Sequence, residues 1–423
     1  MAKTKNFRFK YGHSHMDFSV PEDGLLGELK MAALPVLPDP AGAIRRALEN
    51  PIDSPPLRAI LKPGKTVSLL VNDTTRVANT HVFMPVLLDV INAAGIADEN
   101  ISLIFALGTH RAMSEEEMER EVGRDAARRL KKYNPDCKDR SQYVYLGDTS
   151  YGTPVCLYKK MVESDYIICT GSIVHHFFAG FGGGRKAIFP GAAYYESIRK
   201  NHALMLRPGA AIGRLEGNPV YEDQMEAVKK CPPAFLLNVV LNENKEFLGV
   251  FAGNYITAHL KACQMVDQAY GVEIPAPADL VVATCGGYPK DINVYQLQKT
   301  MDNAHCAVRE GGAAILFGEC SEGSGSETYE KLMARCVTPE AVEEEIRRDF
   351  QIGAHKAFSV TRLMKKATFI LVSSLAPELA RKLLFTPAAS FAQAMDIAKT
   401  IVGERPSIYL MPQGSLTVPR VRQ

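Results

Sequence analysis

The chain has no stretch of roughly 18 apolar residues, so nothing in it reads as a transmembrane helix. It has no excess of either charge: 49 Lys and Arg stand against 47 Asp and Glu, a formal net charge of +2. Neither nucleic acid nor an acidic membrane surface is therefore expected as a partner. Its 9 cysteines are scattered and contain no CxxC pair. That argues against a zinc ribbon or a disulfide framework and for reduced thiols in a cytoplasm. No apolar run follows the Met1-Ala-Lys-Thr-Lys5 start, so a secretory signal is not expected. There are no internal repeats and no low-complexity segment.

What is present is the balance of a globular protein, with 46% hydrophobic and 23% charged residues over 423 positions. That length calls for two or three domains. Short β-branched and aliphatic runs recur at Val67–Val71, Ile101–Leu107, Tyr166–Cys169, Leu236–Leu241, Leu280–Ala283, Ala313–Phe317 and Phe369–Val372. Most are bounded by Gly, Asn, Asp or Ser, as buried parallel strands tend to be. Amphipathic helical stretches lie between them, at Val82–Ala94, Ser114–Leu130 and Ala258–Tyr270. Ser114 followed by Glu117 reads as a capping box. The alternation predicts an α/β protein. The Pro-rich connector Gly271–Asp279 suggests a boundary. An N-terminal domain over 1–270 and a second α/β domain over 275–405 are expected. The final segment, 406–423, fits either domain, a return to the N-terminal one included.

The polar residues gather after the strands. Val71 is followed by Asn72-Asp-Thr-Thr-Arg76, and Leu107 by Gly108-Thr-His-Arg111. Cys169 leads to Gly171-Ser-Ile-Val-His-His176 and Gly180-Phe-Gly-Gly-Gly-Arg-Lys186. Thr284 leads to Gly286-Gly-Tyr-Pro-Lys-Asp291 and a helix carrying Tyr295, Gln296 and Lys299. Ligands of open α/β sheets bind beyond the carboxyl ends of the strands. If two such domains face each other, these ends converge on one interdomain cleft. Histidine is the residue type suited to proton exchange with a hydroxyl, which singles out His110 and His176. Arg76 has the planar fork for a carboxylate or phosphate. Gly180 and Gly182 to Gly184 would let backbone N–H groups approach an anion. Lys186 beside Arg185 sits in a cationic neighbourhood that favours nucleophilicity.

Each feature also has an ordinary reading. Asp73 could only hold a turn through its own backbone. One of His175 and His176 is expected to be structural. The glycine loop fails as a Walker A loop, because Ala187 rather than Ser or Thr follows Lys186, and no Gly-x-Gly-x-x-Gly opens a helix after a strand. The cysteines offer no metal cage, so a metal would rest on histidine and on something brought from outside.

Gly108-Thr-His-Arg111, His176 with Gly180-Phe-Gly-Gly-Gly-Arg-Lys186, Pro190-Gly191, Asn201-His202, Tyr295-Gln296 and Lys299 together resemble the lactate racemase family. The resemblance covers most of the chain and implies two α/β domains with parallel-rich sheets and an interdomain active site. It implies a racemase or epimerase of lactate or a related 2-hydroxy acid, acting by transient hydride transfer to a nickel-pincer nucleotide. Carried over by position, Lys186 is the lysine covalently tethered to that cofactor and His202 the nickel ligand. His110 and His176 are the acid/base pair, with Asp73 and Arg76 supporting catalysis and the substrate carboxylate. Gln296 and Lys299 contribute to catalysis from the second domain. Thr75, Gly182, Gly183, Gly184 and Tyr295 contribute to the cofactor site. Cofactor-synthesis proteins are implied partners, and a chain made without them would lack the cofactor. One departure stands out: Val77 follows Arg76 where the family commonly has proline. The rival readings are a storage protein for nickel or its cofactor, and a phosphate-binding transferase.

Overall fold

The computed structural model of the chain describes residues 3–422 except 337 and 354. It divides into two compact units. One is Leu34–Ala269; the other joins the residues up to Ala33 with those from Tyr270 onward.

In Leu34–Ala269 six strands form one sheet, in the order Phe247–Gly253, Phe235–Leu241, Tyr166–Ser172, Val67–Val71, Ile101–Phe105, Lys131–Tyr133. All neighbours are parallel except the first pair, which is antiparallel. Every position of Val67–Val71 and Ile101–Phe105 is buried, as expected of strands covered on both faces. Phe83, Leu87 and Ile91 on the helix Thr80–Ala93 pack into the same core as Leu69, Leu103 and Phe105. From Val67–Val71 the chain adds Ile101–Phe105 and Lys131–Tyr133 on one side, then Tyr166–Ser172 and Phe235–Leu241 on the other. The strand order therefore reverses between Val67–Val71 and Tyr166–Ser172, the switch point at which such sheets bind ligands.

The expected capping box is present: Ser114 Oγ accepts the Glu117 N–H, and Glu117 accepts the Ser114 N–H at 2.9 Å. The helix it starts is shorter than its sequence suggested. It covers Glu115–Val122, and a second helix runs over Arg124–Arg129. Gly123 between them has a φ of 87°, which breaks the helical path without steric cost at a glycine.

The other unit holds a second six-stranded sheet, in the order Thr386–Ala388, Thr368–Val372, Val308–Phe317, Ala278–Thr284, Ile408–Met411, Leu25–Glu28, with every pair parallel. This differs from the domain bounds read from sequence. The strand Leu25–Glu28 and the hairpin Thr4–Tyr11 with Ser14–Pro21 belong with the C-terminal unit rather than with an unbroken 1–270 domain. Phe9 and Phe18 of the hairpin pack with Phe317 and Phe391 in its core. The segment 406–423 stays in that unit too: Ile408–Met411 lies inside the sheet, and Val418–Val421 pairs with Gly271–Ile274. Among the described residues no helix is long and apolar enough to cross a membrane.

Phe105 is fully buried at the carboxyl end of Ile101–Phe105, in the core of the first sheet. Phe105→Ala is expected to destabilise that unit by about 3–5 kcal/mol in equilibrium urea unfolding. A loss under about 1 kcal/mol would contradict this packing.

Candidate active site

The sheet has apolar strands, so its chemistry sits at the strand ends. Three adjacent parallel strands deliver Asp73, His110 and His176 to the same edge, and one cavity of about 150 Å³ is lined by Asp73, Arg76, His110, His176, Lys186 and His202. Its whole lining comes from the Leu34–Ala269 unit.

The loop after Val71 folds on Asp73. Its Oδ1 accepts the Thr75 N–H at 2.9 Å and the Thr75 hydroxyl at 2.6 Å, the turn-holding role open to a short acid. Its Oδ2 is left for Nδ1 of His110, and the two are in direct contact. The turn and the histidine thus share one carboxylate, which is 3% exposed. Burial alone would raise the Asp73 carboxyl, but the hydrogen bonds from His110 and Thr75 outweigh it and hold the group below its ordinary range. Because Nδ1 of His110 is committed to Asp73, Nε2 is the nitrogen left for a ligand. The Arg76 guanidinium hydrogen bonds to the carbonyl and the hydroxyl of Thr75, each at 3.2 Å, and no carboxylate among the described residues pairs with it. Val77 is exposed, and its carbonyl accepts the Ser172 hydroxyl at 2.7 Å.

Beyond Tyr166–Ser172 a small hairpin pairs His175 with Phe181 and His176 with Gly180. Its two histidines separate in role. His175 turns into the protein and meets Asp267 at 2.8 Å, whereas His176 lines the cavity. Nδ1 of His176 accepts the Ala179 N–H at 3.3 Å, and its ring stacks on Phe177.

Two N–H groups of the glycine run are engaged within the protein. The Gly182 N–H is spent on Val174 O and the Gly184 N–H on Asn238 Oδ1, each at 2.8 Å. Gly183 and Gly184 both have left-handed φ, and a Cβ on Gly184 would lie 2.5 Å from the His259 ring. These glycines let the chain turn tightly over Asn238 and His259, and that turn aims Lys186 at the cavity. Gly182 and Gly183 line the cavity and Gly184 does not. Burial, with Arg185 and Arg76 nearby, pushes the Lys186 amine well below its ordinary value. His202, in the last turn of the helix Tyr195–Ala203, reaches the same cavity with its ring edge-on to Phe178.

Tyr295, Gln296 and Lys299 lie in the other unit, in the first turns of the helix Val294–Ala307, with Lys299 Nζ 3.0 Å from Gln296 Oε1. Sequence reasoning missed Asn238, His259 and Gln224, all buried behind the cavity. Each lies within a strand or helix rather than at a strand end, and nothing in its spacing marks it. Asn72, next to Val71, could have been found from its strand-end position.

Among the described residues no group of three or more His, Cys, Asp and Glu side chains could hold a metal ion. The cavity instead offers the His202 imidazole beside those of His110 and His176, an amine with its pKa pushed down and a guanidinium without a carboxylate partner. That donor set suits a metal whose other ligands belong to an attached organic group.

Known proteins share this organisation. A family model described as the lactate racemase N-terminal domain matches residues 11–213, and one described as the lactate racemase C-terminal domain matches residues 274–418. The lactate racemase of Thermoanaerobacterium thermosaccharolyticum is 32% identical over 424 residues, covering 98% of this chain and 99% of that protein. The lactate racemase of Lactiplantibacillus plantarum is 30% identical over 379 residues, covering 88% and 89%. The solved lactate racemase apoprotein from T. thermosaccharolyticum matches with a TM-score of 0.89 at 31% identity, covering 98% of this chain and 100% of that one. A crystal structure from Thermotoga maritima, with a TM-score of 0.64 at 18% identity over 90% of this chain and 97% of that one, shares the fold.

The Asp73 shift carries a pH signature. A carboxyl whose folded value is depressed adds stability that is fully present above its unfolded value, about 3.9, and is lost as pH falls through the folded value. The stability gap between wild type and Asp73→Asn should hold from neutrality to about pH 5 and shrink below about pH 4. A gap that persists unchanged to about pH 2 would show that the carboxylate is not held by these bonds.

Proposed function

The chain belongs to the lactate racemase family, and on that premise we propose that it is an isomerase that racemises or epimerises lactate or a related 2-hydroxy acid. The observation that carries this reading is a single cavity lined at once by Arg76, His110, His176, Lys186 and His202.

The carbon–hydrogen bond beside the hydroxyl of a 2-hydroxy acid is a weak acid, and removing it as a proton is costly. Passing through the planar 2-keto acid avoids that cost and erases the stereocentre. A nickel-pincer nucleotide supplies, when bound, an acceptor for that hydrogen with its electron pair. Lys186 would carry the tether and His202 would ligate the nickel. A depressed amine and the His202 imidazole, opening into one cavity, fit that pair of tasks.

The protein's own groups handle the carboxylate and the protons. Arg76 takes the substrate carboxylate on its planar fork. His110, whose Nδ1 proton goes to Asp73, presents the lone pair of Nε2 to the substrate hydroxyl, and Asp73 stabilises the imidazolium that forms. His176 is set the other way. Its Nδ1 accepts from Ala179, so the neutral ring carries its proton on Nε2 and can donate it. One histidine serves each enantiomer, and their roles exchange with the direction of turnover. Thr75 steadies the Asp73 turn, and Gly182 and Gly183 border the space for the cofactor. The same reading assigns Tyr295 to the cofactor and Gln296 and Lys299 to the reaction. A storage protein for nickel or its cofactor would need no such acid/base pair, and a buried carboxylate committed to orienting His110 speaks for turnover.

Co-production with the cofactor-synthesis proteins should give nickel in the purified chain and a mass addition confined to the peptide containing Lys186. His110→Ala and His176→Ala should each lower turnover by about 100-fold or more, read by chiral chromatography on single-enantiomer 2-hydroxy acids, while keeping that mass addition. An unmodified, inactive preparation would overturn the racemase reading, and wild-type turnover in both variants would overturn the acid/base assignment.

A further inference from the structure

The roles assigned above leave one buried charge unused. Arg185 immediately precedes Lys186 and is 1% exposed. No carboxylate among the described residues pairs with it, and the acceptors that its Nε and Nη2 donate to are neutral. Nε donates to Gln224 Oε1 at 3.1 Å, and Nη2 donates to the carbonyls of Ala179 and Phe181 at 2.9 and 3.2 Å. Nη1 lies 3.3 Å from His259 Nε2, and the guanidinium sits over the Tyr221 ring, 4.6 Å from its centroid. A buried cation without a counter-ion is costly, and burial pulls this one down to about 10. A single carboxylate at Gln224 would relieve that cost. Instead Gln224 is a neutral amide, anchored in turn by donating to Asn201 Oδ1 at 3.1 Å.

A neutral cage leaves the charge of Arg185 undiminished toward its neighbours. The residue next in the chain is Lys186. Its surroundings from the other elements are Arg76, Asp73, His110, His176 and His202 around the cavity, with His259 behind the glycine turn. Asp73 is the acid among them, and its carboxylate is already engaged by His110 and Thr75. His259 is buried among cations and held neutral, its pKa pushed down to about 3 by burial first and by Arg185 next.

We propose that Arg185 is a positioning residue acting through Lys186: its buried charge, kept unneutralised by the amide of Gln224, adds to burial in holding the Lys186 amine in the neutral form that attacks an acyl carbon, the acyl leaving group departing and the amine proton passing to water. The inference rests on the reading of Lys186 as the attachment point. Arg185 does not line the cavity. Its hydrogen bonds tie the His176 turn, through Ala179, to the helix Pro219–Lys229, so a structural role for the same residue must be separated from the role of its charge.

The test uses the full chain produced without cofactor and trace acetic anhydride as the probe. A neutral lysine amine attacks one carbonyl carbon of the anhydride, acetate leaves, and the amine proton passes to water. The pH profile of acetylation is followed at the Lys186 peptide by mass spectrometry. Wild-type Lys186 should label with a midpoint well below that of the exposed lysines. Arg185→Met, which removes the charge, and Gln224→Glu, which neutralises it in place, should each raise the midpoint by about one pH unit or more. Near neutrality that slows labelling about tenfold. Arg185→Lys, which keeps the charge but not the fork, should leave the midpoint near wild type. Gln224→Glu keeps the argument testable if Arg185→Met does not fold, because it adds an ion pair rather than removing a side chain. A folded Gln224→Glu or Arg185→Met protein with the wild-type midpoint would overturn the proposal. No cofactor or substrate enters the measurement, so its failure leaves the racemase reading standing, and a failure of that reading leaves the labelling result intact.

Discussion

Val67–Val71 and Ile101–Phe105 are buried at every position, and that constraint organises the Leu34–Ala269 unit. A strand with helices on both faces has no room for an uncompensated polar side chain, so the polar groups appear where the strands stop. Parallel pairing then sets those stops side by side, and the reversal of strand order opens a crevice among them. Asp73, His110 and His176 come together because the strands they follow are neighbours in the sheet, although they are far apart in the chain. Lys186 and His202 are added by a glycine-rich turn and a short helix that pack over the same edge.

The cavity is cationic by construction. Arg76 opens into it, Arg185 lies behind it, and its single carboxylate is divided between Thr75 and His110. Such a site favours an anionic ligand and disfavours a bare metal cation, which agrees with a 2-hydroxy acid substrate and with a metal that arrives already ligated. The two histidines differ in what holds them. A carboxylate accepts from Nδ1 of His110 and a backbone N–H donates to Nδ1 of His176, so their Nε2 atoms begin in opposite protonation states.

Much of this was legible in the sequence, because local patterns report local physics. The apolar runs marked the central strands, with Val67–Val71 correct at both ends, and Ser114 with Glu117 marked a helix start through a capping box that forms as read. The strand-end positions singled out Asp73, Arg76, His110 and His176. Non-local facts were not legible. The residues up to Ala33 join the C-terminal unit through Leu25–Glu28, which pairs with Ile408–Met411 from the far end of the chain, and no local pattern encodes such a pairing. The glycines before Lys186 suggested an anion cradle. Their purpose follows from Asn238 and His259, which lie more than fifty residues away. Arg185 looked like a companion charge to Lys186, and only its neutral surroundings show how fully that charge is left uncompensated.

The central claim is that two histidines move only the hydroxyl proton while the carbon-bound hydrogen leaves and returns with its electrons. The most direct test is to racemise a single-enantiomer 2-hydroxy acid, deuterated at the carbon bearing the hydroxyl, with the cofactor-loaded chain in ordinary water. Retention of deuterium in the inverted product is the predicted result. Replacement by solvent hydrogen at the rate of inversion would mean that one of the histidines removes that hydrogen as a proton, and would contradict the account.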